Sequence, residues 1–147
     1  MRTRVAAFTL AALAPALAPA QAPPKPAPNE PVTVAYYYRV RWGFQDEFER
    51  LFLKNHYPVL KAEMSERGPI QSVGLYRPTF HGDGRADWTY LVVITYKSWA
   101  AMNQPREEGL LERLFPDQET FRREEQRRFE ILDAHWDVPL TRIEPPR

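Results

Sequence analysis

"WTYLVVITY", Trp88 to Tyr96, is the stretch on which the fold turns. Apart from Leu91 it is β-branched or aromatic, without glycine or proline, and so reads as a strand. Tyr90, Val92, Ile94 and Tyr96 project to one side and Leu91 and Val93 to the other, so both faces are apolar. That pattern belongs to a central strand covered on each side. Helices stacked on one face of a sheet supply only one of the two covers, so a second layer is required.

Upstream, "IQSVGLYRP" from Ile70 and the Gly-rich loop "TFHGDGRAD" make a hairpin with this strand. Further upstream, "VTVAYYYRVRW", Val32 to Trp42, alternates, with Val34, Tyr36, Tyr38, Val40 and Trp42 on one apolar face. Gly43 ends it. "FQDEFERLFLKNHYPVLKAEMSERG" then places Phe48, Leu51, Phe52, Val59 and Leu60 at helical spacing, with acidic residues at the positive N-terminal end and Gly68-Pro69 as the stop. Downstream, Ser98 caps a short helix and Pro105 interrupts it, "REEGLLERLF" adds a turn or two, and Asp117 opens a helix expected over "DQETFRREEQRRFEILDAHW", to Trp136. On that helix Glu124, Glu125, Arg127 and Arg128 read as a solvated face. "DVPLTRI" is the expected last strand, and Pro139 marks it as an edge or a bulge.

Strand, helix, strand, strand, helix, strand is the split βαβ order of an α+β, ferredoxin-like fold. With the "YYYRVRWG" entry into the first helix and the "NHYP" within it, the chain from Val32 to Pro145 resembles the dimeric α+β barrel superfamily, near its NIPSNAP-like, ether-degradation and antibiotic-biosynthesis monooxygenase branches. The resemblance implies a homodimer in which two sheets pack face to face. It departs from the compact members in the twice proline-broken segment from Ser98 to Leu132, an extended second helical segment.

The chain opens "MRTRVAAFTLAALAPALAPAQA", with two arginines, an apolar run from Val5 to Leu17 and small residues before Ala20 or Ala22. This reads as a signal peptide over residues 1–22, cleaved after one of those alanines, because the run falls short of the roughly 20 residues a membrane span needs. The expected location is therefore periplasmic or secreted, with no membrane span after signal removal. Residues 23–31 have the composition of a disordered Pro-rich linker, and residues 32–147 form one domain. Without Arg2 and Arg4 the chain holds 18 basic residues against 19 acidic, so charge gives no reason to expect a nucleic-acid partner. There is no cysteine, hence no disulfide and no thiol nucleophile.

Two polar residues interrupt the first helix. At 100° per residue from Phe48, Asn55 falls near 340°, in the buried stripe, and His56 near 80°, at its border. A buried amide needs a partner, and Tyr36 and Tyr38 on the apolar face of the first strand are the expected neighbours. Pro58 deprives the Lys54 carbonyl of its usual donor and predicts a kink at His56 or Tyr57. His56 has two readings, a residue that satisfies the kink or a general acid or base titrating near neutral pH. "NHYP" is similar to the helix-borne His-x-Pro motif of the ether-degradation and NIPSNAP-like branches, which implies the second.

Around it, Tyr36, Tyr38, Trp42, Asn55, Tyr90, His135 and Trp136 are the candidate lining of a pocket for a small apolar or aromatic ligand. The loop residues His81, Asp83 and Asp87 read as turn chemistry, and no metal site is expected. Phosphate-loop, nucleotide and nucleophile-elbow motifs are absent, and neither His56 nor His135 sits in a haem motif, so no cofactor is expected. The functional expectation is an exported dimer that binds a small apolar or aromatic molecule, with cofactor-free proton transfer or oxygenation. The alternative is a non-catalytic binding or scaffold protein in which the same aromatics are core and dimer interface. A cavity beside Asn55 favours the first and a filled space the second.

Overall fold

The computed structural model describes residues 29–79, 88–143 and 145, in which the first alternating stretch forms strand β1, Val32–Val40. Val32, Val34, Tyr38 and Val40 are buried. Trp42, expected on the same face, lies beyond the strand and is 82% exposed, where the chain turns out of the sheet through Gly43 at φ 88°. Residues 1–22, most of the 23–31 segment, and the loop positions His81, Asp83 and Asp87 lie outside the described residues.

The first helical stretch is built in three parts: α1, Gln45–Leu51, a π-helical turn, Phe52–His56, and α2, Tyr57–Glu63. Phe48, Leu51, Phe52, Asn55, Val59 and Leu60 are its buried residues. The Tyr57 N–H reaches back to the Phe52 carbonyl, and Pro58 sits in the first turn of α2, where a missing N–H costs little. The expected kink is thus realised as one widened turn. A wider turn advances fewer degrees per residue, which draws Leu60, at the margin of an ideal stripe, into the core at 5% exposure.

Strands β2, Ile70–Tyr76, and β3, Tyr90–Tyr96, follow. Next come α3, Trp99–Met102, with the Ser98 hydroxyl accepting from the Ala101 N–H at 3.0 Å, and α4, Leu110–Leu114. Helix α5, Gln118–Glu130, is capped by Asp117, which accepts from the Thr120 N–H at 3.0 Å. Strand β4 is Leu132–Leu140. The helix expected to run to Trp136 therefore ends at Glu130, and the strand expected from Asp137 starts five residues earlier. Pairing with β1 decides this, since the ladder from Val40↔Leu132 to Thr33↔Leu140 gives these backbones their partners.

The sheet order is β2-β3-β1-β4, antiparallel throughout, which with the helical crossovers is the α+β, ferredoxin-like arrangement. Pro139 is on an edge strand, as its missing donor requires. Tyr38, Val40, Tyr90, Val92 and Ile94 from the sheet meet Phe48, Phe52, Leu60 and Ile131 in one core. The register places Tyr37, Leu91, Val93, Trp136 and Val138 on the other face, where Tyr37 stacks on Trp136 at 5.2 Å and 9°. Val138 and Leu140 there are 37% and 47% exposed. No helix of the described residues is long and apolar enough to cross a membrane.

Candidate functional site

Asn55 points inward from the π-helical turn and is 2% exposed, as its phase implies. Its partner differs from the one expected. Its side-chain amide donates to Glu124 Oε2 at 2.8 Å, and Lys54 Nζ donates to Oε1 of the same carboxylate at 2.7 Å, so neither Tyr36 nor Tyr38 is involved. Those two hydrogen bonds hold the Glu124 carboxyl below its usual range. Helix α5 brings the Glu124 carboxylate within reach of the amide instead. Asn55 thereby fastens the π turn to α5.

His56 sits one residue further round, at the border. Its ring packs on Phe52 at 5.1 Å between centroids, and Nδ1 lies 3.8 Å from Glu125 Oε2. Burial, and then the Arg128 guanidinium beside it, push the imidazole down to about 4, with Glu125 opposing. This corrects the expectation of titration near neutral pH, because at pH 7 the ring is neutral.

Arg128 is the residue that the sequence reading misplaced. Expected on a solvated face, it is 1% exposed. Nε and Nη2 donate to the two Glu125 oxygens at 2.9 and 2.8 Å, while Nη1 is buried and has no hydrogen-bond partner among the described residues. The guanidinium lies 5.8 Å from the Phe52 ring centre and 4.4 Å from that of Phe129. The signal was there in the spacing: Arg128 follows Phe121 by seven residues and precedes Ile131 by three, on the inner stripe of α5.

From the sheet side, β1 and β4 bring Tyr38 opposite His135, with the rings 4.4 Å apart. Burial raises the Tyr38 phenol to about 12 despite the nearby Arg128. His135 Nε2 lies 3.3 Å from Asp137 Oδ1, and burial lowers the imidazole against the pull of that carboxylate. His56, Tyr38 and His135, singled out separately in the sequence, therefore converge with Glu125 and Arg128 between α5, the π turn and the sheet. Tyr90 packs on Phe48 and Phe52 at 5.5 and 5.3 Å, deeper in the core. Tyr36 points to the same layer but is committed to the Tyr96 hydroxyl at 2.9 Å. Trp136 is on the opposite face of the sheet, one residue out of phase with His135, and takes no part.

Two clefts open elsewhere. One, of about 820 Å³, lies between the end of α2 and the segment joining α3 to α4, with Tyr96 at its base and the Arg106–Glu63 ion pair at 2.7 Å on its wall. The other, of about 660 Å³, lies at the end of the sheet beside Trp42, Trp88 and Tyr90. Neither is lined by Asn55 or His56. Among the described residues no group of three or more His, Cys, Asp or Glu is arranged to hold a metal ion.

No protein-family model matches the chain, and no curated protein matches it. Solved structures to which it is similar include a NIPSNAP family protein from Agrobacterium tumefaciens, at 10% identity and TM-score 0.47, covering 78% of this chain and 95% of that one. SnoaB, a cofactor-independent oxygenase from Streptomyces nogalater, is similar at 16% identity and TM-score 0.45, covering 79% and 96%. A dabb family protein with a ferredoxin-like fold from Mesorhizobium loti is similar at 9% and 0.46, covering 78% and 98%. The NIPSNAP neighbour falls in a branch that the sequence resembles. The likeness is one of overall chain course, and no role for any residue here follows from it.

Proposed function

We propose that the chain is a homodimeric protein of the periplasm or the secreted fraction that binds a small, mostly aromatic molecule between its helices and its sheet. The reading takes residues 1–22 as a signal peptide, 23–31 as a linker and 32–147 as one domain. One observation carries it: His56, Tyr38, His135 and the Glu125–Arg128 pair are brought from four elements to one place in a layer otherwise filled by Phe48, Phe52 and Tyr90. Polar groups converging within an apolar layer are what a small-molecule site is made of. Because His56 is neutral at pH 7, the role open to it is proton acceptor or hydrogen-bond partner, not acid. Accepting a proton from an acidic aromatic is the step that cofactor-free proton transfer and oxygenation have in common.

The second reading, a non-catalytic binding or scaffold role, is favoured by Asn55, whose amide is spent on Glu124. A ligand-observed NMR screen of small aromatics against the full chain and His56→Ala separates the two. The proposed function expects hits that His56→Ala weakens; an absence of hits on the wild type leaves the scaffold.

A further inference from the structure

We propose that Arg128 anchors this site and that the molecule it takes is an aromatic carboxylate, one oxygen of which accepts the hydrogen bond left open at Nη1. The inference rests on the small-molecule reading above and adds the ligand's chemical class.

Arg128 is 1% exposed, and its other two nitrogens in reach of the site are satisfied in a bidentate pair with Glu125. A buried charged donor without an acceptor is costly, and an apolar side chain of similar volume in its place is often neutral or stabilising. The packing of α5 alone therefore gives no reason for the third donor. A guanidinium edge matches a carboxylate oxygen best among acceptors, since the hydrogen bond is charge-assisted.

The surroundings suit an aromatic body. Phe52 and Phe129 flank the guanidinium, and the Tyr38 and His135 rings are packed together at 4.4 Å beside it. Phe129, which lies against the guanidinium, is itself 52% exposed, so the aromatic surroundings of Arg128 reach the molecular surface. Glu125 already balances the charge of Arg128, so an incoming carboxylate draws a proton with it. The groups facing His56 are Glu125 and Arg128 from α5, Arg106 from the segment before α4, and His135 from β4, itself beside Asp137. Of these and His56 itself, the neutral imidazoles are the ones that can take up that proton at a pH above 6.

Benzoate and toluene, titrated separately into the full-length protein and followed by the arginine side-chain N–H and histidine ring resonances, test the inference. Benzoate is expected to bind at least tenfold more tightly than toluene, to shift the Arg128 resonances, and to tighten as the pH falls from 8 to 6. Arg128→Met is expected to abolish that preference, so that benzoate binds no more tightly than toluene. If the two probes bind wild type equally, or Arg128→Met takes benzoate as well as wild type does, Arg128 is structural and the ligand class is overturned while the small-molecule reading stands. If neither probe binds, the pocket reading falls and this one with it. Should Arg128→Met fail to fold, the wild-type titration decides alone, with Arg128→Lys, which loses the planar donor edge, expected to bind benzoate several-fold more weakly.

Discussion

Neighbouring residues on one helical turn have separable roles here, and pH separates them. Asn55 is tied to Glu124 in full burial, so Asn55→Ala strands part of a carboxylate and should cost about 1–3 kcal/mol in thermal or denaturant melts. His56 has its folded-state value pushed down to about 4, below the ordinary 6.5. The unfolded chain therefore binds the proton first, and the stability contributed by neutral His56 is complete above pH 6.5 and lost as the pH falls toward 4. That contribution is on the order of 2–3 kcal/mol. The stability of wild type relative to His56→Gln should therefore fall by about that amount between pH 7 and pH 4. A pH-independent difference would show that His56 is not held neutral by its surroundings.

At the scale of elements, the π-helical turn raises the question whether Pro58 or the flanking packing imposes it. Converting Phe52–His56 to regular α-helix would change the phase of α1 relative to α2, taking Phe48 and Phe52 or Val59 and Leu60 out of the core. Each such side chain loses about 1.5–3 kcal/mol when exposed, against roughly 1 kcal/mol for the backbone hydrogen bond regained. Packing wins by a wide margin. Pro58→Ala should accordingly keep the widened turn and stay within about 1 kcal/mol of wild-type stability, with the Tyr57 amide still protected from hydrogen exchange. A shift of many degrees in the melting temperature would assign the turn to the proline instead.

For the whole molecule, the unresolved matter is the face of the sheet that carries Tyr37, Leu91, Val93, Trp136 and Val138. This face is apolar, with Tyr37, Leu91, Val93 and Trp136 half-buried and Val138 exposed, and a second copy offers a face of the same chemistry to cover it. Light scattering at micromolar concentration is expected to give a dimer. Val93→Glu, which would bury an unpaired charge between the two sheets, should shift it to monomer. A wild-type monomer would remove the homodimer from the proposed function.

Periodicity was enough for the architecture. The two apolar faces of the strand at Tyr90, the alternation from Val32 and the helical stripe of Phe48, Leu51 and Phe52 follow from local geometry, and the antiparallel α+β order follows from them. The caps at Ser98 and Asp117 were legible for the same reason, since a cap acts within three residues. Tertiary structure alone decided the rest. Leu132 to Trp136 took strand because β1 lay beside it to pair with, a partner a hundred residues away in sequence that no local pattern announces. Trp136 left the company of His135 for the same reason, as side chains alternate across a strand. Arg128 looked like one more charge on a charged helix, and its burial depends on where α5 is set down on the sheet. The partner of Asn55, the neutral state of His56 and the open donor on Arg128 all depend on that one placement, because hydrogen bonding and desolvation depend on what surrounds a group in space.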